Sequence, residues 1–231
     1  MNKNNAKKKE NMVIKVIDKL FKPEIVYENE TVQGRIVNEP MVIICNHAVR
    51  ENHFKLTGDG PILRYVFKNH KVCSLMAKDL MDNKIMKKLI EDCDCIPISR
   101  DAASTDWLHK CKQKLADGVS VIIFPEGTTF KNSDIEEFKP GFALLAKSAN
   151  VKVLPVATNG VYKPFRYGSM KIKIGVPQEL KLDKMTPSAL KNETKRLQNI
   201  VNNLYLDLVS ENVKDISNDI NYVNTNEAVN A

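Results

Sequence analysis

The chain has 231 residues, of which 43% are hydrophobic and 27% charged, so it has the composition of a globular protein that can bury a sizeable core. It contains no stretch of about 18 apolar residues, which argues against a helix that crosses a bilayer. Five cysteines without a C-x-x-C pair predict reduced packing residues rather than a zinc site. A net charge of +7 leaves nucleic acid and anionic membranes as candidate partners.

The N-terminal segment combines an apolar face with basic residues. The apolar positions of a 3.6-residue period are Val13, Ile14, Val16, Ile17, Leu20 and Phe21. Lys15, Asp18, Lys19 and Lys22 fall on the other face, so an amphipathic helix is predicted. Such a helix either lies in a membrane interface or packs on its own domain. A secretory signal is not expected, because charged residues interrupt the apolar stretch.

Apolar runs and helical segments alternate along the rest of the chain. Strands are predicted at 40–45, 72–77, 96–98, 119–124 and 152–157, and a further strand at 170–174, nearer a sheet edge because Lys alternates with apolar residues. Helices are predicted at 83–90, about 104–116, 141–149 and from Thr186-Pro187 to about 210. Residues 59–61 are typical of a turn. The alternation predicts an α/β fold with a mixed, mostly parallel sheet flanked by helices.

Four short blocks carry the polar residues of interest. They are Cys-Asn-His at 45–47 continued by Asp-Gly-Pro at 59–61, then 95–100, Phe-Pro-Glu-Gly-Thr at 124–128, and 153–156. In this order the blocks resemble those of the glycerolipid acyltransferases, and 138–141 is similar to a further segment of that family. Each block alone is common, so the order supplies the specificity. The similarity covers about residues 40 to 160.

The resemblance implies an enzyme that moves an acyl group from a thioester to the hydroxyl of 1-acyl-glycerol-3-phosphate. The donor would be acyl-CoA or an acyl carrier protein, with no metal and no cofactor, since a thioester is already activated. His47 would be the general base that removes the hydroxyl proton, and Asp59 the carboxylate that fixes its tautomer. The residues expected to bind the lysophospholipid acceptor are Arg100, Glu126, Gly127 and Thr128.

These acceptor residues have different expected roles. Arg100 can bind a phosphate through two parallel hydrogen bonds, and the backbone N–H groups of Gly127 and Thr128 can add donors. Glu126 would repel a phosphate. It is therefore expected either to orient Arg100 or to accept a hydrogen bond from an acceptor hydroxyl.

One departure from the family pattern lies inside the catalytic block. Eleven residues, 48 to 58, separate His47 from Asp59, whereas the family has four, so the chain carries an apparent seven-residue insertion. If the insertion loops out, Asp59 still reaches His47. Three alternatives stay open: His53 as the base, Glu51 as the orienting carboxylate, and a non-catalytic lipid-binding relative.

A second departure is Thr129, where the family usually has an arginine after Glu-Gly-Thr. One phosphate-binding charge is then missing, and Lys131 is a candidate replacement with a less directional point charge. The acceptor is accordingly either lysophosphatidate or another lysolipid.

The resemblance also favours the membrane interpretation of the N-terminal helix, because such an acceptor and its product reside in the bilayer. Basic residues are concentrated at 1–25 and 61–90. The sequence therefore predicts a membrane-association segment at 1–25, an acyltransferase domain at 26–211 and a polar disordered tail at 212–231. The protein is expected at the cytoplasmic face of an anionic membrane, peripheral or monotopic. Nucleic acid is not an expected partner, since interleaved aromatics and a recognisable module are missing.

Overall fold

The computed structural model describes residues 12–30, 32, 39–47, 59–78, 94–99, 105–127, 135–161 and 163–229, with side chains from 14 to 210 within these ranges. Seven strands in these ranges form one sheet in the order β1-β7-β6-β2-β5-β3-β4. They are β1 Glu24–Tyr27, β2 Val42–Cys45, β3 Val72–Ala77, β4 Cys95–Ile98, β5 Ser120–Ile123, β6 Val153–Thr158 and β7 Lys171–Ile174.

The strand directions place the carboxyl ends of the central strands on one side of the sheet. β2 is parallel to β5 and β6, and β3 is parallel to β4 and β5. β7 is antiparallel to β6, and β1 is parallel to β7. The carboxyl ends of β2, β5 and β6 therefore meet the amino ends of β1 and β7, and this side is called the carboxyl edge below. The prediction of a mixed, mostly parallel sheet is confirmed.

Helices cover both faces of the sheet. They are α1 Met12–Leu20, α2 Asp59–Val66, α3 Asp106–Ala116, α4 Gly141–Ala149 and α5 Pro187–Val229. Ile43 and Cys45 of β2 join a core with α1 and α2, while Val42 and Ile44 join a second core with α3, α4 and α5. Alternate side chains of β2 thus enter two cores, which explains why a strand buried on both faces reads as an unbroken apolar run.

The apolar face of α1 packs on its own domain. Ile17 and Phe21 are fully buried members of the first core. Asp18 accepts a hydrogen bond from the Tyr65 hydroxyl of α2 at 2.6 Å. These two apolar side chains are therefore not available to a membrane, contrary to the interpretation of this face as the membrane-binding one. Membrane association of segment 1–25 stays a prediction that must rest on other side chains.

Two further elements differ from the sequence prediction. Residues 59–61, predicted as a turn, form the first turn of α2, where a proline is tolerated because its missing N–H would have no helical partner. β1 was not predicted, since four residues with partly exposed side chains give too short a pattern. It forms the sheet edge outside β7, so β7 is the second strand from this edge, in agreement with its expected position nearer an edge. The helix predicted at 83–90 lies outside the described residues.

The last helix is longer than predicted. It begins at Pro187, as expected, and the Thr186 hydroxyl accepts the Ala189 N–H at 3.2 Å. Its backbone continues past 210 to Val229, through the segment expected to be a disordered tail, because residues 211–229 hold no Gly or Pro that would stop it. Leu208 is the last buried side chain in the described part. Among the described residues, no helix has the length and apolarity to cross a membrane.

Candidate active site

A histidine and an aspartate meet at the carboxyl edge of the sheet. His47 follows the end of β2 by two residues, and Asp59 is the first residue of α2. His47 Nδ1 lies 2.6 Å from Asp59 Oδ2. The Asp59 side chain is buried, whereas 18% of the His47 side chain is exposed. Asp59 therefore reaches His47 across the intervening residues, as the looped-out insertion requires, while the insertion itself, with Glu51 and His53, lies outside the described residues.

This contact fixes the imidazole for proton transfer. A carboxylate can only accept, so Nδ1 carries the hydrogen and the second nitrogen, Nε2, keeps its lone pair. The ring also stacks on Phe124, with 4.5 Å between the ring centroids and an angle of 17° between the planes. Phe124 was noticed in the sequence only as part of a block, and its position next to His47 follows from the pairing of β2 with β5.

Glu126 holds the backbone of His47 rather than its ring. Its Oε1 accepts the His47 N–H at 2.6 Å, and its Oε2 accepts the Glu136 N–H at 3.1 Å. The carboxylate is buried, which raises its pKa, while the hydrogen bonds from the two amides and the charge of His47 act in the opposite direction. This contact was not among the two roles expected from the sequence. Of those two, orientation of Arg100 cannot be followed, because Arg100 lies outside the described residues.

The Asn46 side chain connects the end of β2 to β6. Its Oδ1 accepts the Thr158 N–H at 2.9 Å, and its Nδ2 donates to the Thr158 carbonyl at 3.0 Å. The side chain thus continues the pairing of β2 with β6 one residue beyond the strand. The sequence contained Asn46 in the first block but gave it no role. An amide side chain directly after a buried strand was the available signal.

The turn after β5 places a lysine side chain beside Gly127. Gly127 has φ +75°, and its N–H donates to the Phe124 carbonyl at 3.0 Å, so this amide closes the turn. A Cβ on Gly127 would lie 2.7 Å from Lys139 Nζ. The Lys139 N–H donates to the Pro125 carbonyl at 2.9 Å. Sequence reasoning placed residue 139 in a family-like segment without assigning it a function.

The remaining predicted acceptor residues cannot be located. Thr128, Thr129 and Lys131 lie outside the described residues, as does Arg100. Their roles, like that of Gly127, stay predictions. Cys45, next to the site, is fully buried, and burial followed by the charges of Asp59 and Glu126 raises the pKa of its thiol well above the usual value. A protonated thiol is a poor nucleophile, so His47 is the stronger candidate for the reactive group.

The sequence profile of the Acyltransferase family matches residues 24–159, more than half of the chain. The chain belongs to this family. The acyltransferase region therefore begins with β1 and ends just after β6, and it contains His47, Asp59 and Glu126.

Two curated relatives extend the comparison. The chain is 30% identical over 136 residues to a probable 1-acyl-sn-glycerol-3-phosphate acyltransferase of Mycoplasma genitalium, which is 56% of this chain and 48% of that protein. It is 34% identical over 76 residues to a chloroplastic 1-acyl-sn-glycerol-3-phosphate acyltransferase of Arabidopsis thaliana, 32% of this chain and 21% of that protein. The chain thus matches about half or less of the length of these acyltransferases.

A solved structure shares the fold of this chain. The crystal structure of the 1-acyl-sn-glycerophosphate (LPA) acyltransferase PlsC from Thermotoga maritima superposes with a TM-score of 0.59 at 21% sequence identity. The superposition covers 80% of this chain and 72% of that one. At this identity the likeness supports the α/β fold alone.

Proposed function

We propose that this acyltransferase moves a fatty acyl group from an acyl thioester to the free hydroxyl of 1-acyl-glycerol-3-phosphate, which yields phosphatidate for phospholipid synthesis. The observation that carries the proposal is the 2.6 Å contact between His47 and Asp59 at the carboxyl edge, inside the segment that matches the family. The names of the two curated relatives support this acceptor. Acyl-CoA and acyl carrier protein are both suitable donors.

The proposed step needs one base and no covalent enzyme intermediate. The acceptor hydroxyl attacks the thioester carbonyl carbon while His47 Nε2 takes its proton, and a carbon–oxygen bond forms. The tetrahedral intermediate then collapses, the carbon–sulfur bond breaks, and the imidazolium returns the proton to the leaving thiolate. Asp59 stabilises the imidazolium between these events. Ester and free thiol are the products, so atoms and charges balance.

The acceptor phosphate requires positive charge near the hydroxyl-binding position. Lys139 supplies an ammonium group next to Gly127, one residue from the carboxylate that holds the His47 backbone. Arg100 and Lys131 are further candidates from the sequence. Lys139 would then serve the phosphate as a point charge where the family usually has the arginine that Thr129 replaces.

The reaction would take place at the cytoplasmic face of a membrane, with the protein bound as a peripheral or monotopic protein. The acceptor and product are lipids, and the chain is basic overall, which suits an anionic surface. Both donor types are acidic and would also be attracted by a basic protein.

The decisive experiment measures acyl transfer to lysophosphatidate in lipid vesicles, with acyl-CoA and acyl carrier protein donors in separate assays. His47→Ala is expected to lower the rate by about 10² to 10⁴, the usual contribution of a general base. His109→Ala is the matched control, since His109 is an exposed residue of α3 that belongs to none of the four blocks. Thermal unfolding of both variants checks that the fold is intact.

Two outcomes would overturn the proposal. A folded wild type that transfers no acyl group from either donor would leave the lipid-binding relative as the better interpretation. Full activity of a folded His47→Ala variant would exclude His47 as the base and return the question to His53.

A further inference from the structure

We infer that a surface formed by α1 and the loop between β6 and β7 inserts aromatic side chains into an anionic phospholipid bilayer. This surface, called the aromatic patch, consists of Val16, Phe165 and Tyr167 with the cations Lys15, Lys19, Lys22, Lys163 and Arg166. It differs from the buried face of α1 that the sequence suggested for membrane contact. It also includes a loop that no sequence block indicated.

The patch holds most of the strongly exposed large apolar side chains of the described residues. Phe165 is 67% exposed, Tyr167 58% and Val16 42%, while the other two, Met185 and Leu206, lie on separate elements. Clustered exposed aromatic side chains are unusual on the surface of a soluble protein and mark sites that contact a protein or a membrane. Phe and Tyr suit the membrane interface, because Tyr has an apolar ring and a polar tip.

The loop holds its aromatic side chains in place. The Phe165 N–H donates to the Leu20 carbonyl at 2.6 Å, and the Tyr167 hydroxyl donates to the Lys19 carbonyl at 2.9 Å. The last turn of α1 is therefore bound directly to the loop. Val16 lies one helical turn before Lys19 and Leu20, so it is on the same side of α1 as these two residues.

The base of the loop is closed by one buried amide. Asn159 donates from Nδ2 to the Ser169 carbonyl at 2.9 Å and accepts the Lys171 N–H at Oδ1 at 3.1 Å. Phe165 itself has φ +62°, a left-handed conformation that is costly for a bulky residue and persists only when the surroundings enforce it. A fixed loop loses little conformational freedom when its aromatics enter a bilayer.

The charge around these aromatics fits an anionic surface. The five cations of the patch are exposed, and Lys22 Nζ lies 6.0 Å from the centroid of the Tyr167 ring. The acids in the same part of α1 and β1 are Asp18, which accepts the Tyr65 hydroxyl, and Glu24, which lies 4.0 Å from Lys171. Cations near an anionic membrane attract it electrostatically, and exposed apolar side chains insert into it, so the patch combines the two kinds of interaction that hold a peripheral protein on a bilayer.

The patch lies on the same side of the sheet as His47. Its loop leaves β6 after Thr158, at the carboxyl edge, and α1 leads into the amino end of β1 at that edge. β7 is two strands from β2, roughly 10 Å at the usual strand spacing of about 4.8 Å. A bilayer in contact with the patch would thus lie close to the His47–Asp59 pair. This last step rests on the proposed function, whereas membrane binding itself does not.

The test uses the full chain and vesicles without acyl donor or acceptor. Binding is measured by co-sedimentation with phosphatidylcholine vesicles that contain 30% phosphatidylglycerol or none. The double variant Phe165→Ala/Tyr167→Ala is expected to bind the anionic vesicles at least tenfold more weakly than the wild type, given the apolar area that two aromatic side chains remove from water. The control Met185→Ala/Leu206→Ala, which removes the other exposed apolar side chains, is expected to bind within twofold of the wild type.

Three further measurements make the result specific. Wild-type binding is expected to fall at least tenfold on zwitterionic vesicles, which carry no net negative charge, or at 0.5 M salt, which screens the attraction. Phe165→Trp is expected to show fluorescence quenching by lipids brominated on the acyl chains, above the signal of the native Trp107. His47→Ala is expected to bind as the wild type, which separates this proposal from the catalytic one.

The inference would be overturned by equal losses in the aromatic and control variants, or by a Phe165→Trp fluorescence that brominated lipid does not quench. It would also be overturned if the wild type bound no vesicles but formed dimers through the patch, detected by analytical ultracentrifugation and abolished by Phe165→Ala/Tyr167→Ala.

Discussion

Two buried carboxylates hold His47, and they act on different parts of it. Asp59 comes from a helix and contacts the ring at Nδ1, whereas Glu126 comes from a strand-end turn and contacts the backbone N–H. The first contact sets which nitrogen can take a proton. The second sets where the residue stands relative to β5. Two residues of similar chemistry and burial are therefore expected to have separable effects, the first on the proposed chemical step and the second on the stability of the site.

The largest expected effect is that of Asp59→Asn. An asparagine retains the shape but cannot stabilise an imidazolium, and it favours the wrong tautomer, so kcat is expected to fall by about 10³ to 10⁴, as in hydrolase triads. The unfolding temperature should change by only a few degrees. Steady-state transfer assays and thermal unfolding check both parts.

The control for this change is Asp183→Asn, because Asp183 is exposed and far along the chain from the blocks. Glu51→Gln and His53→Ala are expected to leave kcat within a few-fold. A loss in either of these variants as large as that of Asp59→Asn would instead assign the dyad to residues of the insertion.

A smaller effect is expected at the turn that carries Glu126. If Lys139 binds the acceptor phosphate, Lys139→Met should raise the KM for lysophosphatidate by about 10-fold to 100-fold, the range of a hydrogen bond to a charged group, with kcat little changed. Lys112→Met is the matched control, since Lys112 is an exposed lysine of α3. An unchanged KM would remove Lys139 from the site.

Two glycine variants test the role of Lys139 independently of a change at Lys139 itself. Gly127 has φ +75° and Gly118 has φ +76°, so alanine costs about 1 to 2 kcal/mol of stability at either position. A Cβ at Gly118 would meet no atom within 4 Å, whereas one at Gly127 would displace the Lys139 side chain. The KM should therefore rise in Gly127→Ala and not in Gly118→Ala.

The sequence revealed the elements that are buried on both faces and the short polar segments at their ends. β3 and α4 have the bounds that were predicted, since continuous apolar runs and helical periods are local signals. The contact of Glu126 with His47 was not predictable, because it requires β5 to lie beside β2, and strand order is not a local property. Likewise, α1 buries Ile17 and Phe21 against its own domain, and amphipathicity alone does not distinguish a domain core from a membrane.

The smallest effect on catalysis is expected for Glu126→Gln, which retains the contact of His47 with Asp59. Its amide can accept only one of the two backbone N–H groups, so an unpaired donor lowers the free energy of unfolding by about 1 to 3 kcal/mol, while kcat falls less than tenfold. Glu137→Gln, an exposed neighbour, is the control. A fall in kcat as large as that of Asp59→Asn would contradict a purely positional role.

The stability difference between the wild type and Glu126→Gln should also depend on pH. Burial raises the pKa of Glu126 above its ordinary value of 4.5, so the folded state binds a proton more tightly than the unfolded state. The resulting stability is present below pH 4.5 and is lost as the pH rises through the raised pKa, whereas glutamine does not titrate. The stability difference between the wild type and Glu126→Gln should therefore be largest in acid and shrink toward neutral pH. Denaturant unfolding at several pH values measures it, and a difference that grows with pH would mean that the hydrogen bonds to the carboxylate outweigh its burial.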